Sequence, residues 1–72
     1  MLKKARKKKK MTQMQLSAIT GISQSHISKL EQNKFIHSPT IRQVIALSEA
    51  LEMDPLELAK YFIEKEINSK KN

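Results

Sequence analysis

Residues 12–34 read TQMQLSAITGISQSHISKLEQNK and contain two short segments with apolar residues at helical spacing. Between these segments stands Gly21, the only glycine of the chain, which indicates a turn that needs a positive φ angle. Thr12 and Gln15 have the spacing of a capping box before the first segment, and Ser23 is a good N-cap for the second. The sequence therefore predicts two short helices joined by a tight turn.

The second of these helices has two chemically different faces. The apolar residues expected to pack the two helices together are Leu16, Ile19, Thr20, Ile22, Ile27 and Leu30. The outward face, close to the helix N-terminus, carries Gln24, Ser25, Ser28 and Lys29. Glutamine, serine and lysine supply donors and acceptors that read base edges in the major groove of DNA. Two helices around a turn with such an outward face are the arrangement that inserts a helix into that groove.

The C-terminal half predicts two further helices. Thr40 and Gln43 form another capping box, and Asp54 followed by Pro55 marks a helix start. The core-facing residues expected on these helices are Ile41, Val44, Ile45, Ser48, Leu51, Leu56, Ala59, Phe62, Ile63 and, as a further candidate, Ile67, with Leu47 and Met53 at the flanks. We expect a single domain over residues 1–67 and a frayed polar tail over residues 68–72.

The net charge of +7 is unevenly distributed along the chain. Residues 1–38 contain nine Lys or Arg against one acid, whereas residues 39–72 contain five against six. The half with the polar outward helix therefore carries the excess positive charge that neutralises phosphates. We interpret the four lysines at 7–10 as a solvated helix end with some non-specific attraction to DNA. Direct phosphate contact and a nuclear-localisation or anionic-membrane patch are the alternatives.

Composition excludes several kinds of site. Because there is no cysteine, disulfides, thiolate zinc sites and cysteine nucleophiles are excluded. His26 and His37 have no acidic residues at metal-ligand spacing, and no phosphate loop or nucleophile elbow is present. We therefore expect no enzyme activity, no cofactor and no metal. The longest apolar run, residues 44–47, is too short to span a membrane, and no signal-peptide pattern appears, which predicts a soluble cytoplasmic protein.

At this point the sequence resembles the Cro/cI-type (XRE-like) helix-turn-helix regulators. The residues that carry the resemblance are Thr12, Gln13, Leu16, Gly21, Ile27, Leu30, Glu31 and Lys34. It extends to both sides of this motif and covers roughly residues 2–66. The resemblance implies an all-α, five-helix, lambda-repressor-like bundle with the helix-turn-helix at helices 2 and 3. Lys10 and Asn33 stand where the family often has glycine, which implies left-handed backbone at both positions.

The resemblance also implies which residues meet DNA. Base contacts are expected from Gln24, Ser25 and Lys29, with Ser28 as a weaker candidate. Phosphate contacts are expected around the starts of helices 2 and 3 and after helix 3, from Thr12, Gln13, Ser23, His26, Gln32, Asn33 and Lys34. Two internal contacts are implied as well: Gln13 braces Gln24, and Glu31 pairs with a basic residue of helix 1, for which Arg6 is the candidate.

The function implied is that of a sequence-specific transcriptional regulator, a repressor or autoregulator, located in the cytoplasm at the nucleoid. Its partners are a near-palindromic double-stranded operator, a second copy of the chain, and RNA polymerase or a regulatory protein. The dimer interface is expected around helices 4 and 5, at Met53, Leu58, Tyr61 and Phe62, because Leu58, Tyr61 and Ile67 fall partly off the predicted core stripe. The competing interpretation is a protein-interaction adaptor or antitoxin that uses the same fold and binds DNA weakly.

Overall fold

Five α-helices follow one another in the computed structural model, which describes residues 1–32 and 38–69. They are α1 (Leu2–Lys8), α2 (Gln13–Thr20), α3 (Gln24–Glu31), α4 (Ile41–Leu51) and α5 (Pro55–Ser69). Over the described ranges the secondary structure contains no strand. The predicted all-α architecture is confirmed, and α2 and α3 form the helix-turn-helix pair.

The predicted helix starts are confirmed by local hydrogen bonds. The Thr12 hydroxyl accepts from the backbone N–H of Gln15, and the Gln15 side-chain oxygen accepts from the backbone N–H of Thr12. Thr40 and Gln43 form the same reciprocal pair at the start of α4. At the start of α3 the Ser23 hydroxyl accepts a backbone N–H from the first turn. Each cap satisfies backbone groups that the helix leaves unpaired.

Left-handed residues lie in the turns on both sides of α2. Gly21 ends α2 with a φ of +76°, as its position in the sequence predicts. Lys10, between α1 and α2, has a φ of +57°, so the backbone follows the family although the side chain is a lysine. Glu52 ends α4 in the same conformation, with a φ of +53°. A side chain crowds the backbone in this conformation, so lysine and glutamate are less favourable there than glycine.

The core takes residues from every helix and from the turn between α2 and α3. Its buried members are Leu2, Leu16, Ile22, Ile27, Leu30, Val44, Leu47, Leu51, Leu58 and Phe62. α2 packs against both α3 and α4, α4 packs against α5, and α1 reaches α3. The helix-turn-helix pair is therefore supported from behind by α4, which in turn is covered by α5.

Ile19 does not belong to this core, contrary to the sequence prediction, because its side chain is 60% exposed. The inner side of α2 consists of Leu16, fully buried, and of Gln13, Ser17 and Thr20, which are half-buried. Successive helical residues turn by about 100°, so Ile19 lies roughly 110° from the middle of that side. Its three-residue spacing from Leu16 suggested a shared face, but α3 and α4 pack against the opposite flank.

The predicted core stripes of α4 and α5 also need correction. The large apolar residues that are exposed, although predicted to face the core, are Ile41, Ile45, Leu56, Ile63 and Ile67. Leu47 and Leu58 have no exposed surface at all and lie at the centre of their stripes. The apolar residues of α5 fit more than one helical stripe, and packing against α4 selects the one through Leu58 and Phe62.

α5 begins as predicted, because Asp54 Oδ1 accepts from the backbone N–H of Leu56 with Pro55 between them. It continues to Ser69, so Asn68 and Ser69 are helical rather than part of the predicted frayed tail. Residues 70–72 lie outside the described ranges. None of the helices in the described part of the chain is long and apolar enough to cross a membrane.

Candidate nucleic-acid interface

α3 is anchored by one side and exposed on the other. Ile27 and Leu30 have no exposed surface and fix the helix in the core. On the opposite side Gln24, Ser25 and Lys29 are exposed and Ser28 is half-buried. The hydrogen bonds found among residues 1–32 and 38–69 do not engage any of these four polar side chains. With respect to the described part of the chain, their donors and acceptors are available to a ligand.

The starts of α2 and α3 keep donors that suit an anion. The hydroxyls of Thr12 and Ser23 each accept a backbone hydrogen bond, and each still has its own proton to donate. The first-turn N–H groups have no partner within their helix, and neither first turn contains an acid. His26 is half-buried in the first turn of α3. Such helix starts favour a phosphate oxygen.

A charged network ties α3 to α1 and α2. Arg6 donates from Nε to Glu31 Oε2 at 2.7 Å and from Nη2 to Glu31 Oε1 at 3.2 Å, which makes a two-pronged pair. Its Nη1 donates to the carbonyl of Met11 at 2.7 Å. The amide nitrogen of Gln13 adds a bond of 3.0 Å to Glu31 Oε1. The predicted pairing of Arg6 with Glu31 is present, and Gln13 binds Glu31, whereas the implied brace between Gln13 and Gln24 is absent from the described hydrogen bonds.

The network is nearly enclosed, with side-chain exposures of 10% for Arg6 and 4% for Glu31. Burial alone raises the pKa of Glu31, but hydrogen bonds from Arg6 and Gln13 and the positive charges of Arg6 and Lys3 outweigh it and lower the pKa. The hydrogen bond to Glu31 raises the pKa of Arg6 against the opposing effect of burial. Both groups therefore stay charged at neutral pH, and the end of α3 is held to α1.

The C-terminal end of α3 receives a contact that the sequence did not predict. Gln32, a predicted phosphate contact, is exposed directly after the helix. Its carbonyl oxygen accepts from Lys65 Nζ at 2.6 Å. The other two phosphate contacts predicted after α3, Asn33 and Lys34, lie outside the described residues. No pattern in the sequence links Lys65 to Gln32, because 33 residues separate them and both are ordinary surface residue types.

The residues predicted for the dimer interface occupy two different environments. Leu58 is fully buried and Phe62 is 5% exposed, so both pack in the core of their own chain. Tyr61 and Met53 are half-buried at the edge of that core. The exposed apolar surface nearby belongs instead to Ile41, Ile63 and Ile67, which lie around an apolar groove of about 260 Å³ between α4 and α5.

Comparison with known proteins agrees with this arrangement. A helix-turn-helix family model matches residues 2–58, which is most of the chain and includes all four predicted base-contacting residues. No curated protein and no solved structure matches this chain. In the described part of the chain, no group of three or more His, Cys, Asp or Glu residues could hold a metal ion. The chain belongs to the Cro/cI-type (XRE-like) family of helix-turn-helix DNA-binding regulators.

Proposed function

We propose that this protein is a sequence-specific regulator of transcription that binds a near-palindromic operator as a homodimer. α3 enters the major groove, and Gln24, Ser25 and Lys29 read base edges, with Ser28 in a lesser role. By occupying a promoter the dimer represses transcription, in the simplest case its own. The observation that carries this proposal is the outward side of α3, where polar side chains make no hydrogen bond within the described residues 1–32 and 38–69, on a helix whose other side is fully buried.

Phosphate binding is supported by the helix starts and by the charge distribution. Thr12, Ser23 and the first-turn N–H groups that these two caps do not engage offer donors to the DNA backbone. Gln13 retains one amide proton after its bond to Glu31, and Gln32 is exposed at the other end of α3. The excess of lysine and arginine in residues 1–38 adds long-range attraction that weakens with salt.

Dimerisation is supported by the exposed apolar side chains around the groove between α4 and α5. Ile41, Ile63 and Ile67 are 79%, 58% and 51% exposed. A second protomer that covers them gains about 25 cal/mol for each Å² of apolar surface removed from water. We assign the dimer contact to this surface and no longer to Leu58 and Phe62, because those two residues pack in the core of their own chain. Two-fold symmetry then sets the two α3 helices one DNA turn apart, at about 34 Å.

The test is selection of bound duplexes from a random DNA pool at two salt concentrations. We expect enrichment of a near-palindromic motif, with binding that weakens at the higher salt concentration because counterions are released from the DNA. Gln24→Ala and Lys29→Ala should each weaken binding to that motif about 5- to 100-fold and relax the preference at one position of each half-site.

Lys8→Ala is the matched control, because it removes the same charge from an exposed lysine of α1. It should retain the motif and reduce the binding of all sequences equally. Weak, salt-sensitive binding without an enriched motif would contradict the proposal. That outcome would favour the adaptor or antitoxin interpretation, in which the groove between α4 and α5 binds another protein.

A further inference from the structure

Two consecutive residues of α5 hold the two sides of the connection between α3 and α4. Lys65 Nζ donates to the carbonyl of Gln32 at 2.6 Å, directly after α3. Glu66 Oε2 accepts from the hydroxyl of Ser38 at 2.8 Å, shortly before α4. The same turn of α5 therefore fixes the end of one helix and the approach to the next.

The end of α3 needs such a contact more than the ends of α2 and α4 do. α2 and α4 end at residues in the left-handed conformation, Gly21 and Glu52, which lets backbone N–H groups cap the last carbonyls. Gln32, which follows α3, is extended, with φ −79° and ψ +142°. Its N–H donates to the carbonyl of Lys29, and the ammonium of Lys65 supplies a further donor at the negative end of the helix dipole.

Lys65 is itself held in place by its surroundings. Its Nζ lies 5.9 Å from the ring centroid of Tyr61 and 5.8 Å from that of Phe62, within the range of cation–π attraction. The two rings meet edge to face, with centroids 5.1 Å apart. Because the side chain is half-buried, desolvation lowers its pKa from the usual value. A long cation supported in this way can define a position, whereas a freely solvated one cannot.

We propose that Lys65 is a positioning residue for DNA reading: it fixes the C-terminal end of the recognition helix α3 from α5. This inference rests on the proposed function, since it assigns a residue to the same DNA-reading surface. Lys65 does not touch bases in this assignment. It acts through Gln32, so that Gln24, Ser25 and Lys29 reach the major groove at one angle. Its neighbours Ile63 and Ile67 line the proposed dimer surface. This part of α5 therefore contributes both to the positioning of α3 and to dimerisation.

The experiment compares binding to the selected operator with binding to a scrambled duplex, at a temperature where every variant is folded. Lys65→Met keeps an unbranched side chain and removes the donor, and it should lower the operator-to-scrambled ratio about tenfold, as when one base contact is misplaced. Lys65→Arg keeps a donor and should restore most of the ratio. Lys60→Met is the charge-matched control on the exposed side of α5 and should leave the ratio unchanged. A merely structural role would lower the melting temperature without changing the ratio among folded molecules.

A second measurement does not depend on DNA. In Lys65→Met, amide hydrogen exchange at residues 29–32 should become faster than in the wild type, while exchange at the core of α2 stays the same. An unchanged ratio, or an equal loss in Lys60→Met, would overturn the inference and leave the proposed function intact. A wild-type protein without any operator preference would overturn both.

Discussion

The two halves of the chain share one core and present opposite kinds of surface. In residues 1–32 the proposed recognition helix α3 exposes polar side chains, and a buried charged network fixes it to α1 and α2. In residues 38–69 the joint between α4 and α5 is apolar, and isoleucines remain exposed beside it. The first surface suits a polyanion with a pattern of donors and acceptors. The second suits an apolar partner, which we propose to be a second copy.

Each half is held internally by the same kind of interaction that it displays on its surface. The half that contains α3 depends on Arg6 and Glu31, whose side chains are charged and buried, and the half with the apolar outer surface has an apolar joint. A polar surface can therefore be altered without loss of the fold only when the buried network remains whole. Substitutions in the buried network and in the apolar surface should therefore have separate effects.

Arg6→Met should unfold a large fraction of the protein at room temperature. It leaves the Glu31 carboxylate buried without its main partner, which costs about 3–5 kcal/mol. A single core of this size supplies only about 3–5 kcal/mol in total. Thermal melting followed by circular dichroism measures the effect.

Two variants serve as controls for Arg6→Met. The double variant Arg6→Met with Glu31→Leu should recover part of the stability, because it removes both charges together. Glu52→Gln, which breaks the exposed ion pair with Lys9, should melt close to the wild type. Equal melting temperatures for Arg6→Met and Glu52→Gln would contradict the distinction between the buried and the exposed pair.

Ile63→Asp should convert the proposed dimer into a monomer and weaken operator binding on the order of 10²-fold, since the two half-sites would no longer be engaged together. Sedimentation velocity measures the mass, and a binding titration measures the affinity. Ile19→Asp is the matched control in the other half, with a similar exposure of 60% against 58% for Ile63. If Ile19→Asp dissociated the dimer and Ile63→Asp did not, the apolar surface would have been assigned to the wrong half.

The free energy of unfolding should decrease as the pH drops below about 4.5, the ordinary pKa of a glutamate, and Glu31 should account for part of this loss. The pKa of Glu31 is lowered in the folded protein, so the unfolded chain takes up its proton first. The contribution of Glu31 is therefore complete above that pH and is lost as the pH falls through the folded pKa. Urea unfolding between pH 3 and 7 measures this, and the double variant Arg6→Met with Glu31→Leu, which lacks both charges of the pair, should show a shallower decline. Identical slopes would argue against the lowered pKa.

Lys10→Gly should stabilise the protein slightly, by about 0.5–1 kcal/mol, because it relieves a side chain in a left-handed turn. Gly21→Ala should have the opposite sign and cost about 1 kcal/mol from backbone conformation alone, since no atom lies within 4 Å of the added Cβ. Lys8→Gly, at the helical end of α1, is the control and should not stabilise. Melting temperatures of the three variants test the prediction together.

The features that could be predicted from the sequence are those set by neighbouring residues. The caps of α2 and α4 depend on bonds between residues three apart, and the turn at Gly21 depends on one residue without a Cβ. The pairing of Arg6 with Glu31 spans 25 residues, and only the family resemblance indicated it. Lys65 and Gln32 carry no comparable signal, so their contact could not be foreseen.

The family resemblance indicated α1, whereas local sequence patterns alone predicted α2 to α5, the residues at which they start, and the apolar and polar sides of α3. These properties follow from short-range hydrogen bonding and from the period of a single helix. Tertiary packing settles that Leu58 is buried while Ile63 is exposed, because several stripes of α5 are apolar and the packing partner selects one. It also decided that Lys65 reaches the end of α3, since a contact between distant residues exists only once the helices have packed.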